Sequence, residues 1–157
     1  MKKRITSFVL AIIMLVSVGA LLFSCSDESV DYIASVKAIK PYEDYGISAT
    51  YGTVLNKYIS SCKWQERIQS KNLTYVDVSG KIADIDGSQI EVAITFKVTP
   101  YEGKTEGMVW VEAYLVEIDG NSYQSDRASA VIEELFDAYN EGFESYAAYL
   151  IAYGEDW

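Results

Sequence analysis

Hydrophobic residues change rhythm along this chain. From Phe8 to Phe23 they are nearly continuous, interrupted by Ser17 and the small residues Gly19 and Ala20, and they follow Lys2, Lys3 and Arg4. A positive stretch ahead of a short apolar run has the pattern of a secretory signal, with its charged end kept on the cytoplasmic side. The run falls short of the roughly 20 residues a permanent span needs. Residues 26–45 mix Ser, Asp, Glu, Tyr and Lys around Pro41 and predict a tether with a short extended piece from Val36 to Ile39. Over 49–61 the spacing of Val54, Leu55, Tyr58 and Ile59 predicts a helix, with Thr50 or Thr53 as its cap and Trp64 folding back on the core.

The rhythm then shortens to two. Thr74, Val76, Val78 and Ile82 share one parity against Tyr75, Asp77 and Ser79, and Ile90, Val92, Ile94, Phe96 and Val98 alternate with polar neighbours. Such alternation predicts strands with one face buried. Asp86-Gly87 between them is a hairpin signal. Met108 to Ile118 predicts a third strand, apolar on both parities, ending at a turn over Asp119, Gly120 and Asn121. Steps of three and four return from Asp126 to Tyr153, through Ala128, Ile132, Leu135, Tyr139, Phe143, Tyr146, Leu150 and Tyr153. They predict one long helix capped by Ser125, with Gly142 as a place to bend. The expected fold is a two-layer α+β domain over 46–157. It has a three-stranded antiparallel sheet, with room for a fourth strand, and two helices on one face, in the order α-β-β-β-α.

Leu22, Ser24 and Cys25 resemble the lipobox of bacterial lipoproteins, an aliphatic residue and a small residue ahead of cysteine, with Phe23 bulkier than that position usually holds. The resemblance implies a signal peptide over 1–24, cleavage before Cys25, a diacylglyceryl group on its sulfur, and a tether over 25–45 at the outer face of a cell membrane. Two acyl chains, at about 0.8 kcal/mol per buried methylene, hold a protein on a bilayer where one does so marginally. The competing readings are ordinary secretion, with cleavage after a residue such as Ser26, and a retained N-terminal helix. Only Cys62 accompanies Cys25. Lipid on Cys25 leaves Cys62 without an intramolecular partner, and its absence opens a Cys25–Cys62 disulfide.

Charge narrows the choice of partners. The chain carries a net charge of -10, and losing Lys2, Lys3 and Arg4 with the signal takes it to -13. Such a field repels phosphate backbones, which argues against nucleic acid and favours basic proteins, basic peptides or cations. The sequence has no histidine, so no Ser-His-Asp or Cys-His site and no His-containing metal site can be built. Glu133, Glu134, Asp137, Glu141 and Glu144 fit the solvated face of the last helix. Asp84, Asp86, Gly87 and Ser88 fit a hairpin turn better than a calcium loop. No cofactor and no metal are expected.

If Val109, Val111, Ala113 and Leu115 face the helices, then Met108, Trp110 and Tyr114 share the open face of the sheet with Tyr75, Thr95 and Lys97. Aromatic groups among polar ones mark binding surfaces. Met108, Trp110, Tyr114, Tyr75 and Lys97 are therefore the candidate partner-binding residues. The opposite parity would bury Trp110 and remove the surface.

The succession Tyr51-Gly52, Val54-Leu55, Tyr58-Ile59, Trp64, Val76-Asp77-Val78-Ser79-Gly80 and the strand around Phe96 resembles a module in exported proteins and lipoproteins of low-GC Gram-positive bacteria. That resemblance implies a fold and a location and carries no catalytic residue. The leading expectation is a non-enzymatic, lipid-anchored module that binds a protein or peptide at the cell envelope, with the acidic helix face steering basic partners. The alternatives are a small envelope hydrolase acting on glycan through paired carboxylates, and an acidic cation-binding surface protein.

Overall fold

The computed structural model describes residues 30–100 and 109–153. These residues form an α+β domain: a five-stranded antiparallel sheet with four helices packed on one face. In chain order the elements are α1 (Tyr32–Ala38), α2 (Tyr51–Tyr58), β1 (Ser60–Ser70), β2 (Leu73–Ala83), β3 (Gln89–Pro100), β4 (Val109–Ile118), β5 (Asn121–Gln124), α3 (Asp126–Asn140) and α4 (Tyr146–Tyr153), with a 3-10 turn at Glu43–Tyr45. The strands lie in the sheet in the order in which they occur in the chain.

The alternating runs form the centre of the sheet as expected. Val76 pairs with Phe96, Val78 with Ile94 and Ile82 with Ile90, and all but Ile90 are buried against the helices. The hairpin between β2 and β3 closes through the N–H of Asp84 to the carbonyl of Ser88 at 2.9 Å and the N–H of Gly87 to the carbonyl of Asp84 at 3.0 Å. On the other side of the core, Tyr51 of α2 meets Phe96 at 4.7 Å and Phe136 of α3 at 5.7 Å between ring centroids, and Tyr42 meets Phe136 at 5.0 Å. The cap of α2 is Thr50, whose Oγ1 accepts from the N–H of Thr53 at 3.2 Å.

Several expectations are corrected. The segment read as a tether contains α1, where a short extended piece was expected. Asp31 Oδ1 accepts from the N–H of Ala34 at 2.8 Å to start the helix, and Val36 and Ile39 are fully buried in the core. Tyr32 and Ile33 pack against the same core, half-buried, but seven residues are too short a run for a periodic pattern to announce the helix. The stretch Ser60–Ser70 forms β1, an edge strand in which Cys62, Trp64 and Glu66 are half-buried between exposed Ser61, Lys63, Gln65 and Arg67; a charged residue on the inner side breaks the apolar alternation there. Trp64 on β1 does turn to the helix side, where its Nε1 donates to Asn56 Oδ1 at 3.1 Å. The turn after β4 leads into β5, so the sheet exceeds the expected strand count.

The expected long C-terminal helix is two. Gly142, at φ 81°, sits in the left-handed region that closes α3. The N–H of Gly142 donates to the carbonyl of Tyr139 at 3.1 Å, and that of Phe143 to the carbonyl of Ala138 at 3.0 Å. Ser145 then starts α4, its Oγ accepting from the N–H of Ala148 at 3.1 Å. Ser125 precedes α3 without capping it through its side chain.

Strand β4 contains a bulge. Thr95 pairs with Leu115 and Phe96 with Ala113, so Tyr114 is the extra residue and the alternation reverses across it. Val109, Val111 and Ala113 face the core as expected, but beyond the bulge Val116 is buried and Leu115 lies half-buried on the open face, the reverse of the expected parity.

Candidate functional site

Because successive strand residues point to opposite faces, the inward set of β1–β4 leaves Arg67, Tyr75, Asp77, Thr95, Lys97, Trp110, Glu112 and Tyr114 on the side away from the helices. The register draws them into one surface. Arg67 lies opposite Tyr75, Asp77 opposite Thr95, Tyr75 opposite Lys97, and Lys97 opposite Glu112. The bulge at Tyr114 puts a second tyrosine within reach of the first, with the Tyr75 and Tyr114 rings 5.8 Å apart.

Polar contacts fix this surface. The Arg67 guanidinium donates to both oxygens of Asp77, Nε to Oδ2 at 3.0 Å and Nη2 to Oδ1 at 3.2 Å. Thr95 Oγ1 donates to Asp77 Oδ1 at 2.8 Å. Held so, Arg67 lies over the Tyr75 ring, its Cζ 4.6 Å from the centroid. An ion pair this exposed contributes little stability, but the two-point geometry restrains the plane of the guanidinium. Lys97 Nζ stands 3.8 Å from Glu112 Oε2.

Four of the residues expected at the surface thus share it: Tyr75, Lys97, Trp110 and Tyr114. Tyr114 is 39% exposed, and Trp110 is half-buried, neither fully exposed nor part of the core. Met108 and Cys25 lie outside the described residues. Arg67, which organises the surface from β1, was not legible because β1 itself was not. At the other end of the sheet Lys63, Ser79, Lys81, Glu91 and Glu117 border a shallow depression of about 500 Å³. Cys62 is half-buried, and burial pushes its thiol up, away from the thiolate form a nucleophile needs.

The acidic face of α3 lies on the helical layer, with the sheet between it and these aromatics. The aromatic contact and the acidic steering expected together thus sit on opposite faces of the sheet. Loss of hydration, and then the charge of Asp137, raise the Glu133 carboxyl above its ordinary range; loss of hydration, and then Glu141, raise that of Asp137. A carboxyl with a raised native pKa binds its proton more tightly folded than unfolded, so stability falls as pH rises through the native value and recovers on acidification. The melting temperature is expected to climb from neutral pH toward the upper edge of the carboxylate range. Glu133→Gln with Asp137→Asn should flatten that slope in a thermal melt series, and an unchanged slope would contradict it. The chain matches no protein-family model, no curated protein and no solved structure with which it was compared.

Proposed function

We propose that this protein is a non-enzymatic binding module, anchored by lipid on Cys25 at the extracytoplasmic face of a cell membrane, which takes a protein or peptide partner on the open face of its sheet. The observation that carries the binding reading is the surface of Trp110, Tyr114, Tyr75 and Arg67, which no described helix covers. Trp, Tyr and Arg are the residues that dominate protein interfaces, since each combines a large flat contact area with a polar group. Arg67 and Lys97 interleave with Asp77 and Glu112, so the face presents no single sign of charge. That suits a polypeptide of mixed character better than a polyanion. The anchoring reading rests on the N-terminal pattern of positive charge, apolar run and Leu22-Phe23-Ser24-Cys25.

Capture from envelope extract with the full chain tests the surface. Trp110→Ala and Tyr114→Ala should each weaken recovery of a specific partner by about 30-fold or more, the 2 kcal/mol or more typical of an interface hot spot, and more together, while the melting temperature stays within a few degrees of wild type. Equal recovery sinks the reading. Mass spectrometry of the N-terminus tests the anchor: a diacylglyceryl mass on Cys25 is expected, and a start downstream of it, or a Cys25–Cys62 crosslink, removes it.

A further inference from the structure

Helix α4, Tyr146–Tyr153, contains no charged residue: Tyr-Ala-Ala-Tyr-Leu-Ile-Ala-Tyr. A helix apolar all round belongs inside a protein, yet only Tyr146, Ala147 and Leu150 are buried. Its outer side is exposed among the described residues, Ile151 at 66% and Tyr153 at 42%. Tyr149 continues the strip, its ring 5.5 Å from that of Phe143 and 4.9 Å from that of Tyr153.

Acids border this strip. The hydroxyls of Tyr146 and Tyr153 donate to Glu134 and Glu141, which fixes one carboxylate beside the buried Tyr146 ring and the other beside the exposed Tyr153 ring. The Tyr149 hydroxyl is pushed up to about 12, by burial first and then by Asp137, Glu134 and Glu141. From Ala128 to Tyr153 the sequence has no Lys or Arg. A cation from α2 does reach this end of the helices: Lys57 Nζ sits 5.2 Å from the Tyr58 ring and 5.1 Å from the Tyr139 ring. Its seat shows within the chain how a basic side chain is received here, on tyrosine faces in a negative field.

Charge decides between the occupants an apolar helix face can take. A second copy of this chain would set the same carboxylates against each other. A membrane surface rich in anionic lipid would be repelled by them. A segment that is both basic and apolar satisfies the strip and its border together. We propose that the outer face of α4 is a docking surface for such a segment of a partner protein, its apolar side chains on Ile151, Tyr149 and Tyr153 and its lysines or arginines toward Glu134, Asp137 and Glu141. The surface lies on the helical layer and does not rest on the open face of the sheet.

The test titrates the full chain with a synthetic amphipathic leucine–lysine peptide and with its leucine–glutamate counterpart, by calorimetry at two salt concentrations. The leucine–lysine peptide is expected to bind, more weakly as salt rises, and the leucine–glutamate peptide is not. Ile151→Glu separates docking from general attraction, because it removes the apolar contact while adding a negative charge: docking predicts at least tenfold weaker binding, general attraction predicts tighter binding. Asp137→Asn with Glu141→Gln should weaken binding several-fold, and Trp110→Ala with Tyr114→Ala should leave it unchanged. Binding of both peptides alike, undiminished binding by Ile151→Glu, or wild-type self-association or adhesion to phosphatidylglycerol vesicles that Ile151→Glu abolishes would each overturn the proposal. Ile151 is exposed enough for its replacement to leave the melting temperature near that of wild type.

Discussion

Phe136→Ala is expected to lower the unfolding free energy by about 3–5 kcal/mol, the usual cost of deleting a fully buried aromatic ring. Phe136 has no exposed surface, and its ring meets those of Tyr42 and Tyr51, so it joins α3 to α2 and to the segment after α1. Removing it leaves a cavity where three parts of the helical layer meet. A domain of this size stands only about 5–15 kcal/mol above its unfolded state, so the loss is a large share of the total. Urea unfolding followed by tyrosine and tryptophan fluorescence measures it. A loss below about 1 kcal/mol would mean that the ring is not packed where the structure places it.

The second large effect tests a close approach between backbones. Gly80 sits on the inner face of β2 where the chain passes from α2 into β1. A Cβ there would lie 2.5 Å from the Ile59 Cγ2 and 2.5 Å from the carbonyl oxygen of Ser60. The oxygen cannot withdraw easily: Ser60 is paired with Lys81, and its Oγ donates to the Lys81 carbonyl at 3.0 Å. Strand propensity alone predicts that Gly80→Val stabilises by up to about 1 kcal/mol. The contact predicts the opposite sign, a loss of about 3 kcal/mol or more as β1 is pushed off the sheet edge. Ser79→Val, one residue away on the open face, should change stability by no more than about 0.5 kcal/mol. Equal effects at the two positions would refute the close approach.

How much of this was legible follows from what each residue has to do. The central hairpin was readable because each face of β2 and β3 has one fate, core or surface, and Val76, Val78, Ile94 and Phe96 record it. Strand β1 was not, because an edge strand buries little and its composition is set by solvent. Helix α1 was hidden because its seven residues span barely two turns, too few for Ile33, Val36 and Ile39 to read as a helical stripe. In β4 both parities are apolar, so nothing in the pattern could announce that the alternation reverses at Tyr114. The break between α3 and α4 was written in Gly142 and Ser145, a helix stop and a helix start, but the continuing apolar spacing across them outweighed both. At the candidate site the members from β2 and β3 followed from parity, those from β4 only on one of the two parities its sequence left open, and Arg67 required β1.

The burial of α1 sets a length. If Cys25 carries lipid, the covalent leash between it and the folded body runs only to Tyr32, because Val36 and Ile39 are held in the core. Seven residues at full extension, at most about 3.6 Å each, reach roughly 25 Å. The domain would then stand close above the head groups and could not sample a wide volume of the envelope, so its partners would have to come to the bilayer surface to be met.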